Sequence, residues 1–112
     1  MIAYSNEVKV QSLGVSADLL AREGAVSAEV AAAMAEGARE RLCVDLAISI
    51  TGIAGPGGGT EEKPVGLFYI GVAAAEGTET FRYVSGGNRG QIRAHGVQRA
   101  LEQLWRRVRR MG

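Results

Sequence analysis

Cysteine and histidine occur once each, as Cys43 and His95, in a chain of 112 residues. One thiol excludes an internal disulfide and a cysteine metal cluster, and one imidazole excludes a histidine-rich metal site. A lone thiol also suits a reducing compartment, so a cytoplasmic location is expected. No apolar run approaches the ~20 residues that cross a bilayer. The N-terminus has no basic segment followed by an apolar one, so no signal peptide is expected. Charge of one sign is lacking too. Thirteen Lys and Arg stand against twelve Asp and Glu, a net charge of +1. That balance offers no global attraction to nucleic acid or membrane.

What remains is an ordinary globular composition, 46% hydrophobic, long enough for one domain with one core. Glycine is the exception. Five of the nine residues in Thr51-Gly-Ile-Ala-Gly-Pro-Gly-Gly-Gly59 are glycine, and the polar run continues through Thr60-Glu-Glu-Lys-Pro-Val-Gly66. Apolar, strand-like runs flank it, Leu46–Ile50 before and Leu67–Val72 after. A long unstructured connection between two strands is functional or merely flexible. Glycine lets a ligand approach the backbone, and successive free N–H groups can form a concave anion site. Thr51, Thr60 and Lys63 add two hydroxyls and a cation, so a phosphate or carboxylate is the natural guest. The loop is not a P-loop, because Glu62 and Pro64 flank Lys63 and no helix follows. Nor is it a dinucleotide fingerprint, since Thr60 stands where the third glycine belongs.

The rest of the chain reads as alternating helices and strands. Ser5 or Asn6 can cap a short helix reaching Leu13, with Gly14 as its exit. A second helix is expected over Ala17–Glu23, between Ser16 and Gly24. A third is expected over Ala28–Arg41 after Ser27, with an apolar face of Val30, Met34, Gly37, Ala38 and Leu42. Cys43 is expected to be a small buried residue at the helix–strand junction. Leu67–Ala75 is apolar on both faces and reads as a central strand. A turn at Glu76-Gly77 then leads to Thr78–Val84, with Phe81 and Tyr83 on one face and Arg82 on the other. Asn88 and Gln91 make a capping-box pattern for a last helix. Val97, Ala100, Leu101, Leu104, Val108 and Met111 supply its expected core face. Arg93, Arg99, Glu102, Gln103, Arg106 and Arg110 fall on the other. The terminal Arg106-Arg-Val-Arg-Arg110 reads as a solvated last turn. With no interleaved aromatics, nucleic-acid binding is disfavoured. His95 receives no role. Asn88-Arg89, opening this helix, is a second possible anion contact. The fold class is α/β, a three-layer-type sandwich with a mixed sheet of about three to four strands and helices packed on it.

Four stretches together carry a family likeness: Tyr4-Ser-Asn-Glu-Val-Lys9, Gly24-Ala-Val-Ser27, the whole run Thr51–Gly66, and Ser85-Gly-Gly-Asn-Arg89. In them the chain resembles the C-terminal domain of the competence/damage-inducible CinA family, over nearly its full length. The resemblance implies an α/β sandwich and nicotinamide-nucleotide amidase activity, which converts nicotinamide mononucleotide to nicotinate mononucleotide and ammonia in bacterial pyridine-nucleotide recycling. It implies no metal and no cofactor, a pyridine nucleotide as small-molecule partner, and a homo-oligomer. It also implies a serine nucleophile with a lysine base, and Lys9 matches that lysine. Such a lysine needs burial or nearby positive charge to bring its pKa toward neutrality. By the same resemblance Tyr4 lines the catalytic site. Thr51, Gly52, Ile53, Ala54, Gly55, Gly57 and Lys63 hold substrate, and Arg89 contacts its phosphate.

The family serine lies in a Ser-Cys-Thr-Gly-Gly stretch that this sequence does not contain. Ser5, Ser49 and Ser85 do not match it. The chain is therefore expected to be a single CinA C-terminal-like domain over residues 1–112, lacking the family's first strand and its nucleophile-bearing helix. Weak activity or none is expected of it alone, as is apolar sheet surface open to a second copy. The alternatives are a catalytically inactive, nucleotide-binding remnant and a purely structural module.

Overall fold

The computed structural model describes Lys9 and residues 13–111. The expected start of the first helix at Ser5 or Asn6, and Tyr4, lie outside the described residues. Lys9 and Leu13 are helical. The chain leaves that helix at Gly14, where φ is 70°, and the Val15 N–H donates back to the Lys9 carbonyl at 3.0 Å. Helix α1 is Ala17–Glu23, with the Ser16 hydroxyl accepting from the Leu19 N–H. Helix α2 is Ala28–Leu42. The buried Ser27 hydroxyl joins the two helices. It donates to the Gly24 carbonyl and accepts from the Val30 N–H. One side chain thus closes one helix and opens the next, the reason serine is favoured at such a position.

Three strands follow: β1 Leu46–Gly52, β2 Leu67–Ala74 and β3 Gly77–Val84. They form one sheet in the order β1-β2-β3, and both pairings are antiparallel. β2 is central and buried almost throughout, as its continuous apolar run requires. The β2–β3 turn is Ala75-Glu76, one residue earlier than expected, because Ala74 pairs with Gly77. The last helix, α3, is Arg89–Met111. Its capping box forms in full: the Asn88 N–H donates to Gln91 Oε1 at 2.8 Å, and the Gln91 N–H donates to Asn88 Oδ1 at 2.9 Å. The three helices and the sheet make an α/β sandwich. Among the described residues no helix is long and apolar enough to cross a membrane.

α2 packs on one sheet face at backbone contact. A Cβ built on Gly71 would stand 2.4 Å from the Ala31 carbonyl oxygen and 2.8 Å from Ser49 Oγ. The Ser49 hydroxyl donates to that same carbonyl at 2.6 Å. Gly37 seats the first helix as closely, since its Cβ would lie 1.7 Å from the Leu13 carbonyl oxygen. Leu13, Val15, Leu20, Val30 and Met34 fill the space among these helices. The other sheet face carries Phe68, Ile70 and Val72, flanked by Leu46, Ile48, Phe81 and Tyr83, with Ala100 of α3 packed on them.

α3 lies on that face in an unexpected rotation. Its buried residues are Ile92, Gly96, Ala100, Gln103 and Arg107. Val97, Leu101 and Val108, expected in the core, are exposed, and so is Trp105. At about 100° per residue the two stripes are roughly a third of a turn apart. The reason lies in polar anchors. Gln103 Nε2 donates to the Tyr83 hydroxyl at 2.6 Å. The Tyr83 ring stacks on Phe68 at 5.2 Å between centroids, and Arg99 lies over it. Arg107, placed by sequence in a solvated last turn, is only 5% exposed. Its guanidinium meets Glu79 at 2.8 Å, Glu76 at 3.3 Å and the Gly77 carbonyl at 3.1 Å. Arg110 also pairs with Glu79. The Glu76 carboxyl is held below the usual carboxylate range, first by a hydrogen bond with its own backbone and then by Arg107. Glu76, Glu79, Arg107 and Arg110 line a cavity of about 450 Å³ at this end of the sheet.

Two further expectations are corrected at the end of α2. Cys43 is exposed, not buried. It ends the helix in the left-handed region, φ 52°, which turns its side chain out of the junction. Leu42, expected on the apolar face of α2, is exposed as well.

These contacts separate two substitutions by stability. Gly71→Ala is expected to destabilise by about 1–3 kcal/mol, since its methyl meets backbone that cannot swing aside. Trp105→Ser, at a residue 62% exposed, is expected to stay within about 0.5 kcal/mol of the parent. Urea unfolding of both variants checks this. A large loss at Trp105 would mean that the stripe is packed within the fold.

Candidate functional site

The glycine loop is pinned rather than slack. At its root the Ile53 N–H donates to the Leu67 carbonyl at 2.9 Å, and the Gly66 N–H donates to the Ile53 carbonyl at 2.7 Å. Farther out, the Thr60 N–H donates to the Lys63 carbonyl at 2.8 Å. The Lys63 N–H returns the bond to Thr60 Oγ1 at 3.0 Å. Gly55, at φ 77°, and Gly59 fold against Val65, where a Cβ on either would come within 2.8 Å. Only the tip is open. A Cβ on Gly57 meets nothing within 4 Å. Gly52 faces Phe68 across the ladder too closely for any side chain. Ile53 and Ala54 are half-buried at the loop's root.

Three polar side chains tie the loop to the rest of the domain. The buried Thr51 hydroxyl donates to the Ala25 carbonyl at 2.7 Å. Lys63 Nζ donates to the Glu23 carbonyl at 2.6 Å, placing its charge on the C-terminal end of α1, where a cation is favoured. Arg89, opening α3, donates from Nη1 to the Gly55 carbonyl at 3.1 Å. Lys63 thus holds the loop through one of its three N–H donors. Arg89 keeps further N–H donors beyond the one that Gly55 uses.

Lys9 is buried, 6% exposed. Desolvation holds its ammonium pKa below the ordinary lysine value, because burial penalises the charged form. Among the described residues no ion pair joins it to a carboxylate. The bonds above bring Thr51, Ile53, Gly55, Lys63 and Arg89 into one loop assembly; none of them reaches Lys9. Tyr4 lies outside the described residues. Among the described residues no cluster of His, Cys, Asp and Glu could hold a metal ion.

The structure also shows a pair that sequence reasoning passed over. Ser85 Oγ stands 2.5 Å from His95 Nδ1. Ser85 follows the end of β3, and its N–H donates to the Gly66 carbonyl at the loop's end. The ten-residue spacing across a strand end and a helix start carries no signal of its own. Only the position of α3 beside the loop brings the two together.

The sequence profile of the CinA C-terminal domain matches residues 1–108. The chain belongs to the CinA C-terminal domain family. A CinA-like protein of Parasynechococcus marenigrum is 54% identical over 110 residues. A relative from Moorella thermoacetica is 53% identical over 109 residues. These alignments take in 96% and 97% of this chain but 26% of each relative, so the chain spans about a quarter of their length. Among solved structures, the competence/damage inducible protein CihA from Agrobacterium tumefaciens is 42% identical. It superposes with a TM-score of 0.88 over 91% of this chain and 63% of its own.

Lys9 makes stability depend on pH. Its folded-state pKa is lowered, so above that value the unfolded chain binds more protons than the folded one. Stability is expected to rise with pH from the lowered pKa toward the unfolded lysine value of ~10.4, then level off. Urea midpoints measured across that range should climb in the parent, with the Lys9 contribution absent from Lys9→Met. Parallel curves for the two proteins would show that Lys9 is charged in the fold.

Proposed function

We propose that this CinA-family domain binds a pyridine nucleotide and serves the hydrolysis of its carboxamide, converting nicotinamide mononucleotide to nicotinate mononucleotide and ammonia. The observation that carries this is Lys9. It is a buried lysine with a lowered pKa, at the position where the family motif Ser5-Asn-Glu-Val-Lys9 has its base. A neutral amine can take the proton of an attacking hydroxyl and pass it to the leaving ammonia.

The nucleotide's phosphate is assigned to the open tip of the glycine loop, with Arg89 beside it. Loop glycines permit close backbone approach, and the guanidinium supplies fixed donors. Thr51, Gly52, Ile53, Ala54, Gly55 and Gly57 are assigned to hold the rest of the substrate along the loop. Lys63 serves it indirectly, by fixing the loop to α1.

A second reading is a nucleotide-binding domain without turnover. One pair of measurements separates the two. Binding of nicotinamide mononucleotide is followed by calorimetry, and ammonia release is assayed in parallel. The amidase reading expects release that falls about 10²-fold or more in Lys9→Ala. Saturable binding with no release leaves the binding domain. No binding, or release indifferent to Lys9, sinks the amidase assignment.

A further inference from the structure

We propose that Ser85 is an acylatable nucleophile with His95 as its base, a hydroxyl–imidazole pair at the foot of the glycine loop that attacks small activated esters. This is separate from the nucleotide reading and uses neither Lys9 nor a nucleotide.

The geometry has four parts. The first is the contact itself. A nucleophile and its base must lie within hydrogen-bond reach, and Ser85 Oγ lies 2.5 Å from His95 Nδ1. The hydroxyl has one proton and a second acceptor, the Gly86 carbonyl at 3.0 Å. With the ring proton on Nε2, Nδ1 is the nearer acceptor and takes it. The second is rigidity. The Ser85 N–H is held by the Gly66 carbonyl, and a Cβ on Gly66 would stand 1.9 Å from the Ser85 carbonyl oxygen. Backbone that close cannot wander. His95 sits on α3, whose start is fixed by the Asn88–Gln91 box and by Arg89 on Gly55. The third is access. A Cβ on Gly86 would meet nothing within 4 Å, so a reacting carbonyl has open ground next to the hydroxyl. The fourth is the carrier: Arg89, on the same helix as His95 and four residues after Ser85 in the chain, ties that helix to the loop at Gly55.

The chemistry is ordinary acyl transfer. Ser85 Oγ bonds to the ester carbonyl carbon as its proton passes to His95 Nδ1. The tetrahedral adduct then breaks its bond to the leaving alkoxide, which takes that proton from the imidazolium. Water adds to the acyl-serine with His95 again accepting a proton. Collapse of this second adduct expels the carboxylic acid and returns that proton to Ser85 Oγ, and the acid then gives its own proton to water. Among the described residues no ion pair joins His95 to a carboxylate. The imidazole therefore lacks the orienting partner of a full triad. Slow turnover and an accumulating acyl-enzyme are expected.

The test is p-nitrophenyl acetate at neutral pH with the 112-residue chain. The readouts are p-nitrophenolate release and mass spectrometry of the acetylated peptide. The expected result is one acetyl group, on Ser85. Its formation should slow about 10²-fold or more in His95→Gln, the usual worth of a positioned base. It should vanish in Ser85→Ala and return in Ser85→Cys. Neither side chain is buried, and circular dichroism establishes that each variant is folded. An acetyl group on Lys9 or Cys43 alone would overturn the assignment. So would undiminished release from Ser85→Ala, which would mean that the imidazole reacts by itself, or Ser85 acetylation indifferent to His95. Because the ester contains no nucleotide, this outcome and that of the ammonia assay are independent.

Discussion

Everything in this domain is referred to the line along which β1 and β2 touch α2. At Gly71 there is no room for even a methyl group between the sheet and the Ala31 carbonyl. Ser49 spans the same contact with a buried hydrogen bond. Two residues along the same strand, and so on the same face, Thr51 donates to Ala25 just before α2 begins. β1 is thereby fixed at two points, to α2 and to the segment just before it, by buried side-chain hydroxyls that donate to backbone carbonyls. The second point is the first residue of the glycine loop. The loop therefore inherits its position from a contact with no room for a side chain. Lys63 adds a third tether from the loop's far side to the end of α1.

The opposite sheet face is organised by a different balance. Fully burying a leucine or valine is worth about 1.5–3 kcal/mol. By that measure α3 should have turned its Val97–Leu101–Val108 stripe inward. It instead buries Gly96 and Ala100, which bring it close, and Gln103 and Arg107, which bond to Tyr83 and to the β2–β3 hairpin. Apolar burial on this face still occurs, but the sheet supplies most of it through Phe68, Ile70 and Val72. Turning the stripe inward would strand Arg107 away from Glu76 and Glu79 and leave the Tyr83 hydroxyl without its donor. Leaving the buried Arg107 guanidinium without its partners opposes that apolar gain.

This balance explains what the sequence disclosed and what it hid. Local chemistry was legible. Ser16, Ser27 and Asn88 each cap the helix they were expected to cap, and the unbroken apolar run of β2 announced a central strand. Gly14 and Gly24 end helices where expected. The α3 rotation was not legible, because periodicity locates an apolar stripe without saying which stripe faces the sheet. That depended on Glu76 and Glu79, nearly thirty residues away. Cys43 was misplaced for a related reason. An apolar residue at a junction is buried only if the chain turns inward, and its positive φ turned it outward. At the site, glycine density identified the loop, yet the tethers of Thr51, Lys63 and Arg89 are long-range bonds to carbonyls that no motif encodes. The Ser85–His95 contact is of the same kind.

α3 is consequently held at both ends and, between them, by Gln103 on Tyr83. At the N-terminal end Arg89 reaches the loop at Gly55, and His95 meets Ser85. At the C-terminal end Arg107 and Arg110 grip the hairpin. Its middle rests on the small residues Gly96 and Ala100, which impose little side-chain interlock. The Arg107 cluster and the loop contacts thus lie at opposite ends of one helix. The same α3 that packs Arg107 against Glu76 and Glu79 carries Arg89 to Gly55 and His95 to Ser85.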